Sequence, residues 1–301
     1  MSSIKNYLSL VKFSHTIFAM PFAMIGFFLG IFSTSTLTLH STTPPGNDFT
    51  GNLAKFILVI LCMVTARSAA MAFNRYLDKN FDAKNPRTAI REIPAGIISA
   101  NSALRFVIFN CIAFVICTWF INTICFMLSP VALFVILFYS YTKRFTPLCH
   151  LVLGLGLSLA PIGAYLAVTG VFNIVPLLFS FAVLFWVSGF DIIYALQDVD
   201  FDRSENLYSI PAMAGKNKAL RISELLHFIS ASLVVIAGLI ATFGWLYWAG
   251  CVVFVGMLIY QHSIVKPNDL RRVNLAFMTA NGIASVVFAV FVIADLFIEY
   301  A

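Results

Sequence analysis

Two clusters of acids stand out in this 301-residue chain as groups that could do chemistry. In the first, Asn74, Asp78 and Asp82 recur at i, i+4 and i+8. On a helix that spacing puts three polar side chains on one face, with about 6 Å of rise per step. In the second, Asp198 and Asp202 repeat the four-residue spacing, and Asp191, Tyr194 and Gln197 precede them. Like charges at i and i+4 repel and weaken a helix, so two such pairs need a compensating cation or another reason to persist, a solvated helix end being the plain alternative. Carboxylates without Cys or His suit Mg²⁺, which is commonly held by one or two carboxylates, retained waters and phosphate oxygens. The ligand implied is a Mg²⁺-bound diphosphate, with Asn74, Asp78, Asp82, Asp198 and Asp202 as the candidate metal ligands. Arg87, Lys143 and Arg144 are candidates for the remaining phosphate oxygens, Arg as a fork and Lys as a point charge.

Two further charges lie deeper in apolar sequence. Arg67 precedes Asn74 by seven positions and Asp191 precedes Asp198 by seven, so each is expected on the face of its own cluster, two helical turns further in. An ionised group at that depth is costly unless it faces a polar cavity. The spacing predicts one interior cavity shared by Arg67, Asp191 and the acid clusters, lined also by Tyr139, Tyr194 and Gln197. A purely structural Arg67–Asp191 salt bridge is the competing reading.

The elements that must position these residues are membrane helices. Hydrophobic residues make up 60% of the chain and charged ones 11%, against roughly 45–50% and 25% in ordinary soluble domains, which excludes a soluble enzyme. Nine apolar stretches are long enough to span a bilayer, at about 15–37, 53–73, 101–121, 123–141, 149–169, 174–195, 223–243, 245–264 and 272–298. Of the 19 Lys and Arg, 17 fall on one side of this segmentation, which places the amino terminus inside and the carboxyl terminus outside. The same alternation explains the net charge of +6 without a nucleic-acid footprint, so no nucleic-acid partner is expected. Both acid clusters lie in or beside the long inside connections at about 74–100 and 196–222, so the chemistry is expected on the cytoplasmic face. The six Cys read as small apolar side chains, Asn274 and Asn281 as helix-packing groups on one face of the last span, and the loop at 38–52 as a linker without function. The fold expected is an all-α membrane protein of about nine transmembrane helices around a central cavity open to the cytoplasmic face. It forms one domain over 1–301, with motif-bearing halves at about 1–141 and 142–301.

A Mg²⁺-diphosphate site beside Phe and Tyr side chains implies a lipid diphosphate whose allylic prenyl tail lies between helices, open to membrane lipid. Here the sequence resembles the UbiA superfamily of intramembrane prenyltransferases, whose NxxxDxxxD motif stands as Asn74 to Asp82 and whose DxxYAxQDxxxD motif stands as Asp191 to Asp202. The opening from Lys12 through His15 to Pro21, the stretch Arg67 to Asn74, Asn85 to Thr88, Arg91 to Gly96 and Tyr139 to Arg144 are similar to the 4-hydroxybenzoate polyprenyltransferases, most of all the bacterial branch associated with menaquinone. The resemblance implies transfer of a polyprenyl group from polyprenyl diphosphate to an aromatic acid, ortho to its phenol, with Mg²⁺ as cofactor, in a bacterial inner membrane. It implies catalytic roles for Asp78, Asp198 and Asp191, the last orienting the acceptor hydroxyl or taking the ring proton, and makes Arg67 and Arg91 candidates for the acceptor carboxylate. The alternatives are another acceptor (haem, homogentisate or glycerol phosphate) and, from a different class, an ion-coupled transporter using Asp191 and Arg67. Protein partners are not indicated.

Overall fold

The computed structural model describes residues 3–11, 18–38 and 49–300; its regular elements are all helical, with a lone bridge pairing Lys266 and Asp269. The sequence around Lys12 and His15, and 39–48 of the linker, lie outside the described residues.

A short helix, α1 (Ser3–Leu10), precedes α2 (Met20–Thr38), α3 (Phe49–Lys84), α4 (Ala100–Ile121), α5 (Thr123–Thr142), α6 (Cys149–Thr169) and α7 (Ile174–Ala195). Two short helices follow, α8 (Val199–Ser204) and α9 (Ile210–Ala214), and then α10 (Lys216–Ala241), α11 (Trp245–Ile264) and α12 (Asn281–Tyr300). Among the described residues, eight helical segments are long and apolar enough to cross a membrane, and α2 adds a shorter apolar segment, Met20–Ser33. Each overlaps one of the nine apolar stretches of the sequence.

The termini of two helices differ from the hydropathy limits in ways that matter for the site. Helix α3 does not stop near 73 but continues to Lys84, because nothing in that polar stretch breaks a helix until Pro86 disfavours helical geometry at Asn85. Helix α7 does stop, at Ala195, and a 3₁₀ turn over Leu196–Asp198 intervenes before α8.

The core forms around α7, whose Phe179, Val183, Trp186 and Val187 are fully buried against Phe22 of α2, Val234 of α10, Phe254 of α11 and Phe288 of α12. Because lipid tails offer no hydrophobic driving force between helices, close approach of backbones decides the packing. A Cβ on Gly26 would stand 2.0 Å from the Pro161 carbonyl oxygen, and one on Gly154 2.4 Å from that of Leu184. These two positions set the α2–α6 and α6–α7 contacts. Buried polar groups find partners across helices: Asn281 Oδ1 accepts from Trp186 Nε1 at 2.9 Å and from Gln261 Nε2 at 2.8 Å. Asn281 Nδ2 donates to Phe277 O at 3.0 Å, at the end of a π-helical turn over Leu275–Ala280. That turn shifts the helical register, so Asn274, expected on the same face as Asn281, is exposed instead. Asp295, only 2% exposed, accepts from the backbone N–H groups of Gly244 and Tyr247 and so satisfies the amino-terminal end of α11. All six cysteines are free.

Candidate active site

The continuous helix α3 realises the first motif as a polar edge. Asn74 Nδ2 donates to Asp78 Oδ2 at 3.2 Å. Asp78 is 1% exposed and receives Lys143 Nζ at 2.6 Å and an Arg144 guanidinium nitrogen at 3.1 Å, both from the end of α5. Arg144 is itself fixed by the carbonyls of Ser140 and Leu77. One turn on, Asp82 Oδ1 accepts from Arg91 at 2.6 Å, and Arg75 stands 4.0 Å from Oδ2. Asp82 Oδ2 is buried and makes no hydrogen bond.

The turn that follows α3 reaches across to the second motif. Asn85 Oδ1 accepts from the Arg87 backbone N–H at 3.0 Å, while Asn85 Nδ2 donates to Asp198 Oδ1 at 3.3 Å. Arg87 grips the same carboxylate with one edge of its guanidinium, Nε at 3.0 Å from Oδ1 and Nη2 on Oδ2, and donates from Nη1 to the Tyr194 hydroxyl at 3.0 Å. Burial works against the Arg87 charge, but the Asp198 carboxylate and the Tyr194 hydroxyl outweigh it and hold its pKa above the ordinary value. Lys84 reaches Glu205 at 2.6 Å, and Tyr208 N donates to Lys143 O at 2.7 Å. Asp202 Oδ2 accepts from Ser209 Oγ at 2.8 Å. Two acid clusters far apart in sequence are thus joined through Asn85 and Arg87, with Arg87, Arg91, Lys143 and Arg144 each on an acid.

Among the described residues no three His, Cys, Asp or Glu side chains converge as a metal cage. The acids come in pairs, which suits an ion that completes its shell with diphosphate oxygens and water. The donor set fits Mg²⁺, being carboxylates and an amide, with one buried carboxylate oxygen of Asp82 left unsatisfied.

Of the deeper residues expected in one cavity, the apolar cavity of the structure takes in only some. An apolar cavity of about 390 Å³ lies among α3, α4, α5 and α6, and Arg67 and Tyr139 are among its lining residues, whereas Asp191, Tyr194 and Gln197 are not. Arg67 Nε is buried there without a hydrogen bond. Asp191 pairs with His150, Nδ1 to Oδ2 at 2.7 Å, and no Arg67–Asp191 bridge forms. Asp191 instead turns to the neighbouring helix α6, where His150 stands at the second position. Within the 3₁₀ turn after α7, Gln197 Nε2 donates to the Tyr194 carbonyl at 3.2 Å. The Tyr194 ring lies 4.3 Å from that of Phe277, and Phe18 and Phe190 pack on Phe277 at 5.2 and 5.5 Å.

His150 is the residue the spacing argument missed, since it lies 41 positions from Asp191. Depth would have found it. An acid inside an apolar stretch needs a partner, and His150 enters the neighbouring span from the same, basic end.

An ion-paired acidic site together with an apolar cavity among membrane helices defines a multi-pass membrane protein that handles a charged group joined to an apolar one. The chain belongs to the UbiA prenyltransferase family, which it matches over residues 19–283. It is 31% identical over 223 residues to the 4-hydroxybenzoate octaprenyltransferase of Tolumonas auensis, covering 74% of this chain and 78% of that one. Its fold is similar to that of a UbiA homologue from Aeropyrum pernix K1 in its apo state, with a TM-score of 0.76, 28% identity and coverage of 95% and 98%. It is also similar to a UbiA homologue from Archaeoglobus fulgidus bound to DMAPP and Mg²⁺, with a TM-score of 0.74, 20% identity and coverage of 97% and 99%.

Proposed function

We propose that this chain transfers a polyprenyl group from polyprenyl diphosphate to a 4-hydroxybenzoate-type aromatic acid, ortho to its phenol, with Mg²⁺ as cofactor, in quinone biosynthesis. The active face is the one rich in Lys and Arg, toward the cytoplasm of a bacterial inner membrane. The observation that carries this reading is the clasp of Asp198 by Asn85 and Arg87, which brings both acid motifs and their bases into one site. The name of the Tolumonas relative and the ligands of the Archaeoglobus neighbour support it.

Asp78 and Asp82, with Asn74, and Asp198 with Asp202 would hold Mg²⁺. When bound, the ion supplies positive charge against the diphosphate as it leaves. Arg87, Lys143 and Arg144 rest on these acids and would be the groups to meet the phosphate oxygens. The allylic C–O bond breaks with its electron pair going to the diphosphate, and the rings of Tyr194 and Phe277 face the resulting cation. Arg67, whose Nε has no hydrogen bond, and Arg91, which rests on Asp82, are the candidates for the acceptor carboxylate. The ring carbon ortho to the hydroxyl forms the new C–C bond, and its proton passes to Asp191, 23% exposed and with Oδ1 free of hydrogen bonds to described residues.

Incubation of the protein in lipid nanodiscs with 4-hydroxybenzoate, a polyprenyl diphosphate and Mg²⁺, followed by mass spectrometry, tests the reading. A product of acceptor plus prenyl mass that disappears with EDTA is expected. Diphosphate release without prenylated 4-hydroxybenzoate would overturn the acceptor assignment, and the absence of any covalent product would overturn the transferase reading itself.

A further inference from the structure

His150 has a fixed protonation pattern that the geometry itself dictates. It is the second residue of α6 and only 3% exposed. Its Nε2 lies 3.4 Å from the backbone nitrogen of Ile210, and a backbone N–H can only donate, so Nε2 accepts and carries no proton. The ring proton of the neutral imidazole is then on Nδ1, which donates to Asp191 Oδ2 at 2.7 Å. The seam around the pair is tight: Ser188 Oγ donates to the His150 carbonyl at 3.2 Å, and Ser188 lies one turn before Asp191 on α7. Ile210 follows Ser209, which holds Asp202. One imidazole therefore ties the acid of α7 to the loop that anchors the second motif.

We infer that His150 is a positioning residue for Asp191: it occupies Oδ2, keeps its own proton throughout, and leaves Oδ1 as the oxygen that meets the acceptor. This rests on the reading of Asp191 as the group that takes the ring proton. An aspartate on a single-bonded side chain otherwise rotates between several orientations, and a hydrogen-bonded imidazole selects one, as partners of functional carboxylates and imidazoles do elsewhere. The Ile210 contact makes the same ring report whether the loop after α8 is in place.

The test compares His150→Asn, whose side-chain amide can present an N–H near the place of Nδ1–H, with His150→Leu, which has no donor, and with Asp191→Asn. Turnover and KM for each substrate are measured with Mg²⁺, together with thermal inactivation of each variant. With His150→Leu, kcat is expected to fall about tenfold to a hundredfold, while KM for the prenyl diphosphate stays within about twofold. His150→Asn is expected to restore most of the loss, and adding His150→Leu to Asp191→Asn to cost nothing further. Should His150→Leu fail to fold, His150→Gln, whose amide lies beyond the Nδ1 position, replaces it with the same expected loss. Unchanged kcat in the donor-free variant, no rescue by Asn, or additive losses with Asp191→Asn would overturn the inference while leaving the role of Asp191 standing. Full turnover by Asp191→Asn would overturn that role, and the inference with it.

Discussion

Asp78 and Asp82 are almost wholly buried, and each is met by a base from elsewhere in the chain, as Asp198 is by Arg87. Such a site is near neutral at rest and can open by exchanging partners, acids to a metal and bases to phosphate. At Arg87 this exchange is expressed in binding and not in stability. The side chain is about a third exposed, and exposed pairs contribute about 0–1 kcal/mol to folding, so Arg87→Gln should leave thermal inactivation almost unchanged. Its KM for prenyl diphosphate should rise at least about tenfold, since a charged fork is replaced by a neutral amide; steady-state kinetics with varied donor check this. At this scale the sequence was readable wherever chemistry and spacing coincide, as with Asn74, Asp78 and Asp82. It was not readable where one residue reaches across helices. Neither Arg87 on Asp198 nor His150 on Asp191 leaves a local signature.

The two motif helices show why legibility differed by element. On α3 the helix is unbroken to Lys84, so the i+4 and i+7 arithmetic applies throughout. On α7 the helix tightens into a 3₁₀ turn after Ala195, and nothing in the composition of Leu196, Gln197 and Asp198 announces it. Hydropathy located the spans because length and apolarity are set by the bilayer, but the π-helical turn that exposes Asn274 and buries Asn281 is a tertiary outcome. The contact between α6 and α7 yields a prediction of its own. Gly154 lies one turn from His150, and a side chain there collides with the Leu184 carbonyl and Ser188 Oγ, both at 2.4 Å. Gly154→Leu should therefore destabilise the protein by about 1–3 kcal/mol, lowering its inactivation temperature. It should also reduce kcat more than donor KM, because the seam that carries the His150–Asp191 pair is forced apart. An unaltered inactivation temperature would contradict the packing argument.

Over the whole molecule the apolar cavity extends along α5 from Cys125 to Tyr139, a rise of about 21 Å, with Tyr139 toward the end of the helix that Lys143 and Arg144 follow. A prenyl tail seated there would run from the acids toward the opposite face. Gly163 lines the cavity and has open space where a side chain would go. Gly163→Phe should raise KM for a long polyprenyl diphosphate about tenfold or more while leaving geranyl diphosphate nearly unaffected; equal effects on both donors would place the tail elsewhere. The most direct measurement of the joined two-motif site is the rate of Mg²⁺-dependent diphosphate release, with acceptor present, by the wild-type protein and by Asp78→Asn and Asp198→Asn in the same nanodiscs. Each variant is expected to lose at least about a hundredfold, and the wild-type rate to vanish with EDTA. A wild-type rate indifferent to EDTA, or either variant turning over at the wild-type rate, would contradict a site built from both motifs around a metal-bound diphosphate.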